Sequence, residues 1–432
     1  MRQELRASTA IINPSIRGLA GSPTLAMNEK CSRLRKEGRK LYHLGFGESP
    51  FPVPAAAVAA LREHAAENRY LAVQGLAELR EAVTRHHAAH DGIDVRPEHV
   101  LIGPGSKILM YLLQLAYAGE AIIPTPTWVS YLPQAQLTGK KAALVHTSFE
   151  SGWKILPEQL EAAIKGCASD VPPLFIINSP GNPTGVSYSE REVKALADVS
   201  REHNLIVLSD EIYGGLHHSG GHVSFARHYP EGTVVCSGMS KVFGAGGWRL
   251  GTMAFPQGKE ALFKAVLIAV GETFSTTCAP VQHAAIAAYT DASGEISREV
   301  EGMRSILAAL GNACAAILSD AGVRVHAPDG GFYLFPDFGK HAARLAKRGI
   351  ADAETLCSAL LDDEGVALLP GSAFLREKSE LTARLAFVEF SGKEALDAAL
   401  AGESVDRTFL ERHCSRTLEA VRLIATWLHT FK

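Results

Sequence analysis

Between residues 95 and 255 the chain alternates short apolar runs with helical stretches, and this alternation constrains the fold more than any other feature. The runs are Val100–Ile102, Ala121–Ile123, Ala142–Val145, Leu174–Ile177, Ile206–Leu208, Val234–Cys236 and Leu250–Phe255. They are aliphatic or β-branched, and most close on Gly, Pro, Ser or Asp. Strands read this way when neither face of the pleat meets water, and intervening helices such as Lys107–Tyr117 and Glu190–His203 imply a mainly parallel sheet. The fold class is α/β. Later helical stretches (Glu301–Ala316, Asp352–Asp362, Thr408–Phe431) have few strands between them and suggest a smaller α+β domain. Pro14, Gly18, Gly21 and Pro23 make the first forty residues read as an extended arm. A chain of 432 residues exceeds the size at which a single core keeps growing. The expected division is an arm with part of the small domain over 1–60, a large domain over 61–300, and a small domain over 301–432.

Composition narrows the function classes. Apolar residues at 47% and charged residues at 21% describe a globular enzyme. A net charge of −3 without a Lys/Arg run gives no reason to expect nucleic acid. No uninterrupted apolar stretch is long enough to span a bilayer, so no membrane is expected. Arg2, Glu4 and Arg6 are followed by no apolar segment of the kind that directs secretion. The seven cysteines are scattered without C-x-x-C spacing and read as thiols of a reducing cytoplasm. His86, His87 and His90 have helical spacing but read as a solvated helix face rather than a metal site, and His217-His218 reads as a surface turn. No metal is expected.

In doubly wound sheets ligands sit beyond the carboxyl ends of the strands. Five polar segments follow apolar runs here and would point at one crevice. Gly105-Ser106-Lys107 opens a helix, whose free N–H groups suit a phosphate. Trp128 follows the next run. Asn178 to Gly185 is a rigid Pro- and Gly-rich turn that presents Asn182. Asp210 ends an apolar strand, where a carboxylate needs a partner, and a protonated ring nitrogen would be one. Tyr213 could reach the same ring. Ser237-Gly238-Met239-Ser240-Lys241 leads into a glycine-rich turn ending at Arg249. There a desolvated lysine amine would suit imine chemistry, and Arg249 would offer a fork of donors to a phosphate.

With these segments the chain resembles the class I/II aminotransferases, the fold-type I enzymes that use pyridoxal 5'-phosphate, from about Leu44 to Arg384. The most specific block is Ser237 to Gly251. The resemblance implies that Lys241 holds the cofactor as a Schiff base and moves the substrate proton, while Asp210 pairs with the ring nitrogen. It implies that Asn182 and Tyr213 bond the ring oxygen and Trp128 stacks on the ring. Gly105, Ser106, Ser237, Ser240 and Arg249 would cradle the phosphate, with Lys107 beside them. Gly45, in Leu44-Gly45-Phe46-Gly47-Glu48, would line the substrate pocket together with Trp128 and Asn182, and Arg384 would grip the substrate carboxylate. Tyr70, before Gln74-Gly75, would reach the phosphate of a neighbouring subunit, so a homodimer is implied. Lys107 aligns with a lysine that binds the distal carboxylate in some aspartate and prephenate aminotransferases.

The expected activity is transfer of an amino group between an L-amino acid and a 2-oxo acid by a ping-pong mechanism, with aspartate or glutamate as one substrate. A C–S lyase or cyclopropane-forming synthase would share the same cofactor shell. A regulator with an aminotransferase-like ligand domain would need a DNA-binding segment, and about forty residues before the match are too few for one.

Overall fold

The computed structural model describes residues 11–19, 21 and 23–430. Arg2, Glu4 and Arg6 lie outside the described residues. The first strand, β1 (Tyr42–His43), is short. The seven apolar runs then form β2 (Val100–Gly103), β3 (Ala121–Thr125), β4 (Ala142–His146), β5 (Leu174–Asn178), β6 (Ile206–Asp210), β7 (Thr233–Gly238) and β8 (Gly251–Ala254). They make one sheet in the order β2-β8-β7-β6-β5-β3-β4. Every pairing is parallel except those of β8, which is antiparallel to both neighbours.

Alternate residues of each strand enter different cores, which is why the runs carry no polar face. Leu101, Ile123, Ile176, Leu208 and Cys236 pack under the helices Ser106–Ala116 and Glu260–Gly271. On the other face Ile122, Phe175 and Val207 pack under Glu190–Glu202. Val100, Ile102 and Val235 meet Ala77–His86 and Ala279–Thr290 there.

The remaining strands are β9 (Tyr333–Leu334), β10 (Val366–Ala367), β11 (Leu369–Pro370) and β12 (Ala383–Ala386). Three form an antiparallel sheet in the order β11-β12-β9, while β1 pairs in parallel with β10. A single core joins Tyr42, Leu44 and Phe51 to Met303, Leu310, Phe332, Leu385 and Trp427, so both ends of the chain build the smaller unit.

Three expectations are corrected. Residues 23–36 are not extended but form the helix Pro23–Lys36, which buries Cys31 and Leu34 against Leu41, Leu361 and Ala367. Pro23 opens this helix, where a missing N–H leaves no bond unmade. The expected division at residue 300 falls inside the helix Glu295–Asp320, whose Ile296 and Val300 join the larger unit and whose Met303 to Leu318 join the smaller. This 26-residue helix is long and apolar enough to cross a bilayer, yet it lays a stripe from Ile296 to Leu318 into the two cores. The last helical stretch is broken at Cys414 into Arg407–His413 and Ser415–His429.

Candidate active site

The carboxyl ends of β2, β3, β5, β6 and β7 open onto one cleft of about 360 Å³. Strand alternation decides what reaches it. Asp210 follows Ile206 and Leu208 on the face covered by Ser106–Ala116, whereas Glu211 turns to the other side. Asp210 is buried and accepts hydrogen bonds from the Tyr131 hydroxyl (2.6 Å) and the Ile212 N–H (3.3 Å). Burial pushes its carboxyl up to about 6, against the opposing pull of the Tyr131 hydrogen bond. A carboxylate held so needs a cation or a donor facing it from the cleft.

Lys241 follows β7 and donates to the Gly47 carbonyl at 2.6 Å. Its ammonium lies 5.5 Å from the Tyr213 ring and 5.4 Å from the Phe332 ring. Asn178 frames the opposite wall: its amide donates to the Asp210 carbonyl (2.7 Å) and its oxygen accepts from the Asn182 N–H (2.7 Å). Asn182 in turn accepts from Arg384 (3.0 Å), and Arg384 also donates to the Gly45 carbonyl (2.7 Å). Thus Gly45 touches the site through its backbone. Arg384 is buried in β12 against the rings of Tyr333 and Phe374, and burial holds its pKa below the usual guanidinium range. Among the described residues no carboxylate pairs with it, and its Nε has no hydrogen-bond partner.

At the other end Gly105 precedes the helix Ser106–Ala116 with φ +94°, and a Cβ there would collide with the Arg249 guanidinium. Glycine therefore lets the free N–H groups of the helix start and Arg249 approach one point. Arg249 itself has φ 56°, a left-handed conformation uncommon for a bulky side chain and typical of strained functional turns. Ser106, Ser240 and Arg249 line this end, with Lys107 5.0 Å from the Trp128 ring. Burial, and then Arg249, lower the pKa of Lys107.

The structure gathers Ser106, Lys107, Trp128, Asn182, Asp210, Tyr213, Ser240, Lys241, Arg249 and Arg384 around this cleft. It does not bring in Ser237. On β7 Cys236 faces Ser106–Ala116, so Ser237 points to the other face and lines a neighbouring cavity of about 340 Å³. Tyr70 is 91% exposed and lies outside the cleft of its own chain. His86 and His87 line the neighbouring cavity and are not a solvated face: His87 is buried and bonded to Asp91 at 2.7 Å. His218 is no surface turn either, since its ring bridges the Pro328 and Gly331 carbonyls at 3.0 Å each. Missed from the sequence were Tyr131 and Tyr333. Tyr131 sits one helical turn after Trp128. The Tyr333 hydroxyl lies 2.9 Å from the Tyr213 hydroxyl.

These residues fit a flat, phosphorylated pyridine aldehyde. An anion site at a helix start, an acceptor that burial leaves seeking a cation, and an amine between them are the groups such a molecule needs. The Asp210 shift can be tested without the cofactor. A carboxyl whose folded pKa is raised stabilises the fold below its unfolded pKa and loses that contribution as pH rises through about 6. In cofactor-free protein Asp210→Asn should therefore match wild type near pH ~4 and become more stable than it above ~6. The gap expected is on the order of 2–3 kcal/mol, read by urea melts at both pH values. A gap that does not change with pH would contradict the shift.

Comparison with known proteins agrees with this arrangement. Residues 39–387 match the family Aminotransferase class I and II. The aspartate aminotransferase of Bacillus subtilis is 34% identical over 92% of this chain and 98% of its own. An aspartate/prephenate aminotransferase of Cereibacter sphaeroides is 32% identical, over 84% and 92%. The structure of Thermus thermophilus aspartate aminotransferase with maleate superposes with a TM-score of 0.79 at 30% identity, covering 90% of this chain and 98% of that one. This chain belongs to the class I and II aminotransferases and, as they do, uses pyridoxal 5'-phosphate.

Proposed function

We propose that the enzyme exchanges an amino group between an L-amino acid and a 2-oxo acid in two half-reactions, and that one substrate is a dicarboxylic acid such as aspartate or glutamate. The observation that carries this reading is a pair of cations in one cleft, Arg384 and Lys107, neither of them paired with a carboxylate among the described residues. Two anionic groups on one small molecule would answer both. The Bacillus subtilis relative is an aspartate aminotransferase, and the Thermus thermophilus one was solved with maleate, itself a dicarboxylate.

In this reading Arg384 holds the α-carboxylate with its planar fork. Ser106, Ser240, Arg249 and the backbone at Gly105 hold the cofactor phosphate, and Trp128 covers the ring. Asp210 keeps a proton on the ring nitrogen, oriented by Tyr131. The bound cofactor supplies an electron sink for the pair left at the substrate α-carbon. Lys241 binds the cofactor and, once displaced, uses its Nζ to take the α-proton and return it. Tyr213 and Asn182 donate toward the ring oxygen. The chain acts as a homodimer in which Tyr70 serves the neighbour's phosphate, a role its exposure leaves open. We place the enzyme in the cytoplasm, in keeping with seven free thiols, five of them buried.

Lys107→Met tests the substrate class. The expected result is a selective fall in kcat/KM for aspartate and glutamate, of roughly tenfold or more per lost charge contact. A neutral amino acid should change little. An equal fall for all substrates would assign Lys107 to the cofactor phosphate instead, and no change would leave it without a role.

A further inference from the structure

Away from the cleft, His64, Glu67 and His283 place two imidazole nitrogens and a carboxylate oxygen within 4.8 Å of one another. We propose that they form a binding site for a divalent transition-metal ion of the zinc, cobalt or nickel kind.

The fold brings them together from two elements. His64 caps the helix Ala55–Glu63, and the following turn is closed by a hydrogen bond from the Glu67 N–H to the His64 carbonyl at 3.0 Å. His283 projects from the helix Ala279–Thr290, and the two rings stack with centroids 4.0 Å apart and planes 11° from parallel. Because the rings stand nearly parallel, their in-plane lone pairs run side by side, and binding one ion requires a ring to turn until both planes meet at it. No ring nitrogen of either histidine and no Glu67 carboxylate oxygen is bonded to a described residue. The three lone-pair donors are therefore uncommitted.

The donor set decides the class of ion. Two imidazoles with one carboxylate suit borderline first-row ions, whereas magnesium and calcium require mostly oxygen. Ligands that share a tetrahedral zinc at about 2.0–2.2 Å stand about 3.3 Å apart. Turning one ring out of the stack and the exposed Glu67 side chain toward it brings the three donors to that spacing. His64 and His283 also line an open surface cleft of about 480 Å³, so water can complete the coordination. An ion held here ties the turn 64–67 to the helix Ala279–Thr290, at the root of the segment that carries the exposed Tyr70.

The test is titration of the holoenzyme with cobalt, followed by its visible absorption, and with zinc in competition. One ion per chain is expected. Removing a group that merely orients a ligand already costs roughly 10–100-fold in metal affinity, so His64→Ala and His283→Ala should each weaken binding by at least about that much, and Glu67→Gln should weaken it too. All three positions lie outside the catalytic cleft, so cofactor absorbance serves as the folding control. Zinc should also slow hydrogen exchange over residues 65–76 in wild type and not in His283→Ala. Wild-type protein that binds no ion, or variants that bind as wild type does, would overturn the proposal.

Discussion

Lys241→Ala is expected to purify as a folded protein with no covalently attached cofactor and to turn over at least roughly 10⁴-fold more slowly than wild type. The side chain ends in the cleft, where it meets the Gly47 carbonyl and the Tyr213 and Phe332 rings. Alanine removes the amine without opening a closed core, so the melting temperature should move little. Two roles are lost together, attachment and proton transfer, and they can be separated. A small primary amine added to the variant should restore part of the turnover, because it supplies a base to the space the side chain left. Near-normal activity without added amine would remove Lys241 from the mechanism.

The second large effect is expected at Arg384. Losing a desolvated, forked contact to a carboxylate costs ~2–5 kcal/mol, so Arg384→Ala should lower kcat/KM for amino acids and oxo acids alike by roughly 30- to 5000-fold. Lysine keeps the charge but not the fork and should recover only part of the loss. Stability should not follow activity. The guanidinium is buried with two neutral acceptors and two rings but no carboxylate partner, and with Nε unbonded, so replacement by methionine removes a desolvated cation from the interior. That variant should melt no lower than wild type while failing to hold substrate. A variant that melts much lower, with KM unchanged, would make Arg384 a structural residue and send the carboxylate elsewhere.

Legibility in the sequence followed burial. The seven strands of the large sheet were readable because both faces are covered, which leaves an apolar run at each strand and a polar group just past its end. Asp210, Asn182 and Lys241 sit at or just past such ends, and Arg249 stands before the start of β8, which runs antiparallel to its neighbours. Ser237 was misjudged because membership of a motif says nothing about pleat direction, and on β7 the neighbouring Cys236 takes the face toward the cleft. The histidines at 86 and 87 were misjudged for a related reason. The segment His87–Asp91 winds as a π-helix, which sets Asp91 against His87 and turns polar side chains inward. The helix Pro23–Lys36 was hidden by the prolines and glycines ahead of it. Tyr131 and Tyr333 act by touching other site residues, and contacts of that kind have no signature in spacing.

The pairing of β1 with β10 sets the order in which the protein becomes an enzyme. Tyr42 and His43 emerge from the ribosome long before their partners Val366 and Ala367. The large sheet, complete once β8 at Gly251–Ala254 has been made, can carry Lys241 and Asp210 before those partners are made. Gly45 and Gly47 come just after β1 and supply the carbonyls that Arg384 and Lys241 meet, so that wall of the cleft waits for β10 to be made. A ribosome-stalled or C-terminally shortened chain would thus hold the cofactor lysine on a finished sheet and still lack a closed site.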